Sequence, residues 1–241
     1  MVLTNETTLG QVAAENPLAA RVFEKYQLDY CCGGDRSIEQ ACREKGIPAE
    51  RVLAELQQGG PPEPVKDWSS ASQADLIGHI VGKHHAYLRA ELPALETRME
   101  KVAQAHGANH AGALRPLQET LHGLKTELAT HMIKEEMILF PLIEQMEAAE
   151  KAGGPLAPAH CGSVNNPIRV MQYEHDSAGA ALREMRMLTS DYAVPADGRN
   201  TFRALYQGLR ELEADLHMHI HLENNVLFPR AAELETKLIT L

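Results

Sequence analysis

The chain has 241 residues, 44% of them hydrophobic and 23% charged, which suits one good core with a small second domain. A formal net charge of −10 with no Lys/Arg cluster argues against a nucleic-acid partner, and no apolar run approaches the roughly 20 residues of a membrane span. Twelve histidines are many for this length and hint at metal, whereas the four cysteines (Cys31, Cys32, Cys42, Cys161) contain no Cys-x-x-Cys pair for structural zinc.

The N-terminus has neither a positive region nor an apolar stretch typical of an export signal, so a cytoplasmic protein with free thiols is expected. Residues 1–57 read as a small helical domain. Asn16-Pro17 serves as an N-cap with proline at the first helical position, leading Leu18, Val22, Phe23 and Tyr26 along one face. Ser37-Ile38-Glu39-Gln40 is a capping box opening a helix that Gly46 should stop, and a third helix is expected over Ala49 to Gln57. Between the first two lies the turn Tyr30-Cys31-Cys32-Gly33-Gly34. Residues 58–70, with Gly59-Gly60-Pro61-Pro62-Glu63-Pro64, form a linker.

Residues 71–241 contain nothing that reads as strand. Four amphipathic helical segments are expected near 71–105, 112–150, 166–191 and 198–236, broken by Gly107/Gly112, by the stretch from Gly153 to Pro167, and by Pro195 to Gly198. The fold class is therefore all-α, an antiparallel four-helix bundle preceded by a small helical domain. Alternating steps of three and four give the buried seam of each helix. The first seam runs Val81, His85, Leu88, Leu92, Leu95, Met99, Val102. The second runs Leu114 to Leu128 and on through His131, Glu135, Ile138 and Leu142. The third holds Ile168, Met171, His175, Ala178, Leu182 and Met185, and the fourth holds Leu209, Leu212, Leu216, His219, Glu223 and Val226.

One histidine interrupts each seam. On the even helices a glutamate follows one turn later, inside a repeated string: His131-x-x-x-Glu135-x-x-x-Leu139-Phe140-Pro141 and His219-x-x-x-Glu223-x-x-x-Leu227-Phe228-Pro229. Residues four apart stack on one helix face, so each copy points an imidazole and a carboxylate the same way. The same count puts His84, Glu136 and His221 off the seam. Carboxylates in an apolar core are costly unless paired or metal-bound. Two glutamates and four histidines, with no lysine or arginine on the seams, predict two metal ions with the glutamates bridging; that donor set suits iron, manganese or zinc, and two carboxylate bridges in a bundle core favour iron. Glu127 and Glu174 are expected to orient the ligating imidazoles from outside.

These residues resemble those of hemerythrin, and the whole chain resembles the repair-of-iron-centres family, hemerythrin-like di-iron proteins of iron–sulfur cluster repair under nitrosative and oxidative stress. Tyr30 to Gly34 is similar to the motif of that family's N-terminal domain. His131-x-x-x-Glu135, Glu174-His175-Asp176 and the string from His219 to Pro229 are similar to its bundle motifs. The resemblance implies metal ligands at His85, His131, Glu135, His175, His219 and Glu223, holding a non-haem, carboxylate-bridged di-iron centre with a bridging oxygen species. It also implies damaged iron–sulfur proteins as partners, iron supply as the activity, and nitric oxide or oxygen as further reactants. The segment Gly153 to Asn166, with His160 and Cys161, looks longer than the family's usual connection.

Three functions use the same ligands: iron delivery to damaged clusters, a nitric oxide-reacting oxidoreductase, and a diatomic gas sensor or carrier. A plain carrier has no need of a tethered thiol pair, so Cys31 and Cys32 favour the first two, with a thiol role in handing iron on or in catalysis. Whether the protein is an enzyme is left open by the residues, and a homodimer is compatible with them.

Overall fold

The computed structural model describes residues 3–16, 19–58, 68–154 and 161–240. Among them the chain is helical, and no strand forms beyond one isolated antiparallel bridge between Thr8 and Ser37. No helix is long and apolar enough to cross a membrane among the described residues. Contacts divide the chain into two compact units. The first comprises Met1–Gly78, Leu142–Asn165 and His217–Leu241, and the second His79–Pro141 and Asn166–Leu216.

The first unit begins with four short helices, α1 (Leu9–Glu15), α2 (Ala19–Lys25), α3 (Ile38–Lys45) and α4 (Ala49–Gln58). Ser37 and Gln40 form the expected capping box on α3, and Gly46 ends it at φ 67°, a left-handed conformation that suits glycine. The helix α1 escaped the sequence reading, although Thr8 and Gln11 make a second capping box. The proposed start of α2 at Pro17 and Leu18 lies outside the described residues, as do residues 59–67 of the linker and His160. Leu9, Val12, Phe23, Leu28, Tyr30, Ile38, Val52 and Leu56 form the core of this part. Each such side chain contributes about 1.5–3 kcal/mol on burial. Met218 packs against the same core, so the N-terminal helices rest on the distal end of the chain.

The helix α5 (Gln73–His79) belongs to the first unit up to Gly78, and the chain then runs into the long helix α6 (Ala86–Lys134) of the second. The expected break near Gly107/Gly112 is a kink at His110, whose φ −126° and ψ 22° leave the helical region. The two arms fold back on each other, with His122 Nδ1 2.8 Å from Glu96 Oε1. Beyond come α8 (Asn165–Leu188) and α9 (Asn200–Leu222), largely in the second unit, with α7 (Phe140–Ala152) and α10 (Phe228–Ile239) largely in the first. Leu88, Leu92, Leu95, Met99, Leu114, Leu117, Leu121, Leu124, Ile168, Met171, Leu182, Leu209 and Leu212 are buried, as the seam count expects.

A turn of π-helix interrupts the α-helix at three places, Ile80–His85, Glu135–Leu139 and Glu223–Leu227; the count fails at the first two, while Val226 in the third is buried as expected. Each such turn inserts an extra residue and shifts the phase beyond it. Ile138, assigned to the seam, is 54% exposed, and Leu139 is buried in its place. Val81 is half-buried while Ile80 is fully buried. The two later turns share a cause. Pro141 and Pro229 lack an N–H and their rings clash with the carbonyl four residues back, so the chain widens ahead of them. Accordingly the N–H of Phe140 donates to the carbonyl of Glu135, and that of Phe228 to Glu223, five residues back in each case.

Candidate metal centre

Every π-helical turn carries one of the seam ligands: His85 ends the first, Glu135 opens the second and Glu223 opens the third. Such widened turns frequently mark functional sites. All six residues singled out by the seam count are buried, and Glu135 and Glu223 are 0% exposed.

In the second unit, Glu135 stands between two imidazoles. Its Oε2 is 3.3 Å from His85 Nε2 on the first arm, and its Oε1 is 3.2 Å from His131 Nε2 on the second. His175 of α8 brings its Nε2 to 3.2 Å from that of His131. His131, Glu135 and His175 thus present ligand atoms within 4.8 Å of one another. In the first unit, His219 Nε2 lies 3.0 Å from Glu223 Oε1 within the repeated motif.

The tautomers follow from the outer partners. His85 Nδ1–H donates to Glu136 Oε1 at 2.6 Å, and His131 Nδ1–H donates to Glu174 Oε2 at 2.9 Å. Each bond leaves the Nε2 lone pair free to face inward, the orientation that a ligating imidazole needs. Burial alone would raise both outer carboxyls. His85 and Arg89 hold Glu136 below the usual carboxylate range, and Lys134 and His131 do so for Glu174. These glutamates are therefore anionic and complement the imidazole N–H groups. Phe140 stacks on His85, with ring centroids 5.9 Å apart.

Glu127, expected beside His131, instead accepts a hydrogen bond from Ser177 Oγ at 3.0 Å, and Glu174 holds the position against His131. Glu136 was placed off the seam and its contact with His85 was missed. His84 is buried as well, its Nδ1 2.9 Å from Asp215 Oδ1. His221 is buried against Tyr30, with ring centroids 5.6 Å apart.

Cys31 and Cys32 of the first unit are thiols not joined by a disulfide, Cys31 buried and Cys32 half-buried, with their Sγ atoms 3.7 Å apart. Their turn is bonded to the residues that follow Glu223. Asn224 Nδ2 donates to the carbonyl of Cys31 at 3.3 Å, and Asn225 Nδ2 donates to those of Tyr30 at 3.2 Å and Cys31 at 3.4 Å. His217 Nδ1 reaches Glu24 at 2.5 Å. Cys42 is buried in the N-terminal core, and Cys161 is half-buried.

Buried histidines and glutamates in an all-α bundle define a hemerythrin-like metal-binding protein. The family model of the hemerythrin HHE cation binding domain matches residues 76–231, and that of a domain of unknown function, the N-terminal domain of ScdA (DUF542), matches residues 5–59. Over 223 residues, the chain is 40% identical to the iron-sulfur cluster repair proteins YtfE of Enterobacter sp. (strain 638) and of Escherichia coli O157:H7, covering 92% of this chain and 95% of each relative. The corresponding protein of Citrobacter koseri is 39% identical over the same share. The chain belongs to the hemerythrin-like iron–sulfur cluster repair family.

Proposed function

We propose that this protein restores iron–sulfur clusters damaged by nitrosative or oxidative stress by supplying iron from a binuclear centre. His85, His131, Glu135, His175, His219 and Glu223 hold two iron ions in this reading. The carrying observation is Glu135, whose two oxygens face different imidazoles, Oε2 that of His85 and Oε1 that of His131, so that its carboxylate would hold cations together with both rings. The duplicated string gives Glu223 the same part on its own side, with His219 beside it. Buried imidazole and carboxylate donors, with the rings of His85 and His131 turned Nε2-inward by anionic Glu136 and Glu174, fit ferrous or ferric iron.

Bound there, the iron pair supplies redox chemistry and a store of ions that can leave. The protein's own residues set the conditions. Glu136 and Glu174 fix the imidazoles, and the apolar seam excludes water from the carboxylates. The wide turn at Glu223 joins the centre's edge to the Cys31–Cys32 turn through Asn224 and Asn225. That connection favours delivery over simple gas carriage, because a carrier has no use for a seated dithiol. Damaged iron–sulfur proteins of the cytoplasm are the partners in this reading, with nitric oxide or oxygen as agents acting on the same centre.

Metal analysis with Mössbauer spectroscopy, followed by transfer into an inactivated [4Fe–4S] enzyme, tests the proposal. Two irons per chain, falling as enzyme activity returns, are expected. Catalytic consumption of nitric oxide without loss of iron would overturn iron supply in favour of an oxidoreductase.

A further inference from the structure

We infer that the turn from Asp29 to Gly33 is a second cation site, in which Asp29, Cys31 and Cys32 together take one thiophilic divalent ion of the ferrous or zinc class. Their ligand atoms lie within 4.8 Å of one another. The spacing matches coordination closely. Metal–sulfur bonds of about 2.3 Å and metal–oxygen bonds of about 2.1 Å at tetrahedral angles put two sulfurs about 3.8 Å apart and sulfur and oxygen about 3.6 Å apart. The two Sγ atoms are 3.7 Å apart, and Cys31 Sγ is 3.4 Å from Asp29 Oδ1. Two of the three spacings thus suit one tetrahedral ion, and the third pair, Cys32 and Asp29, lies within 4.8 Å.

The carboxylate is held in place before any ion arrives. The N–H of Cys32 donates to Asp29 Oδ1 at 3.0 Å and that of Gly33 at 3.1 Å. Charge also balances. Two thiolates and a carboxylate carry three negative charges, a divalent ion cancels two, and Arg36 Nη2, 3.6 Å from Asp29 Oδ2, offsets the third. Binding is ligand exchange without electron transfer: each thiol releases its proton to solvent as its sulfur coordinates. Vicinal cysteines bridge each other only with strain, so the pair suits chelation better than a disulfide.

Asn224 and Asn225 seat the turn from behind through the carbonyls of Tyr30 and Cys31. A Cβ at Gly34 would stand 2.6 Å from Asn225 Oδ1 and 2.7 Å from the Tyr30 carbonyl, so glycine is needed for this fit. Three protein ligands leave a coordination position open, the mark of a site that exchanges its partner rather than a closed structural one. Half-exposed Cys32 is the side from which an ion or an acceptor ligand reaches it. The site therefore serves as a loading point for a single ion. Its use in iron delivery rests on the proposed function, but its ability to bind does not.

The experiment is an anaerobic Co2+ titration of the reduced, iron-loaded full chain. One equivalent should develop thiolate-to-cobalt charge-transfer absorption in the near ultraviolet, which histidine and glutamate ligands do not give. Cys31→Ser/Cys32→Ser should abolish it. Asp29→Asn, which keeps an oxygen for the two N–H groups and removes the charge, should weaken Co2+ binding at least tenfold with unchanged circular dichroism. Absence of the band, its survival in the double serine variant, or equal affinity in Asp29→Asn would each overturn the assignment. Iron content of the same samples reads the His/Glu cluster separately, so loss of the binuclear reading would leave this result intact.

Discussion

The phase shift at Glu135–Leu139 can be tested with two neighbouring substitutions, Ile138→Ala and Leu139→Ala. A regular helix continued from Glu135 turns Ile138 inward. The widened turn hands that place to Leu139, which is 1% exposed against 54% for Ile138. Truncating a fully buried leucine costs about 2–5 kcal/mol, transfer and cavity together. Ile138 keeps about half its contact with water, so its loss costs at most about 1 kcal/mol. For a chain of this length, a cost near 3 kcal/mol lowers Tm by roughly 6–12 °C. Thermal unfolding followed by circular dichroism, on samples matched for iron content, should show that drop for Leu139→Ala and little for Ile138→Ala. Equal drops, or a larger one for Ile138→Ala, would refute the widened turn and restore the regular seam.

Other outcomes follow from the same geometry. His131→Ala should lose most bound iron, Glu136→Gln should weaken iron affinity about 10–100-fold through misorientation of His85, and Glu127→Ala should change it little, all read by metal analysis. Removing iron with a chelator should lower Tm, and anaerobic ferrous iron should restore it, since an ion that binds only the folded chain stabilises it by mass action. Gly34→Ala should cost about 1–3 kcal/mol by overpacking against Asn225 and the Tyr30 carbonyl, and should raise the reaction rate of Cys31 and Cys32 with a thiol reagent. Burial pushes the pKa of His221 down to about 4, against about 6.5 in an unfolded chain. The unfolded state therefore takes the proton first, so this contribution to stability is complete above pH 6.5 and is lost as pH falls toward 4. His221→Gln should flatten that part of the pH–stability profile.

Much of the bundle was legible because its leucines keep strict three-and-four spacing, and the histidines stand out against them. Legibility ended where proline changed the helix itself. Leu-Phe-Pro was visible as a repeated tail, but its effect five residues upstream depends on a backbone bond that pattern counting assumes to be regular. The count puts His221 and His84 off the seam, as they are, but says nothing of their burial. Each lies off the metal seam yet is covered, His221 by Tyr30 of the turn between α2 and α3 and His84 beside Asp215. A periodicity marks one buried face, whereas these helices have two. Glu174 was found from its place next to His175, while the exposed Glu127, one turn before His131, points elsewhere.

The duplicated string has diverged at the residue right after each inward glutamate. In the first copy that residue is Glu136, which turns to the His85 imidazole, and in the second it is Asn224, which turns to the backbone of Cys31. One position further on, Met137 is 73% exposed, while Asn225 is occupied with Tyr30 and Cys31. One backbone geometry thus serves two ends, once as a buttress behind His85 and once as a berth for the Cys31 turn. Exchange of the pair, Glu136→Asn with Asn224→Glu, would give each copy the other's equipment. It would set a carboxylate against a carbonyl oxygen at Cys31 and remove the anion behind His85, so the division of labour between the halves resides in two side chains rather than in the helices that carry them.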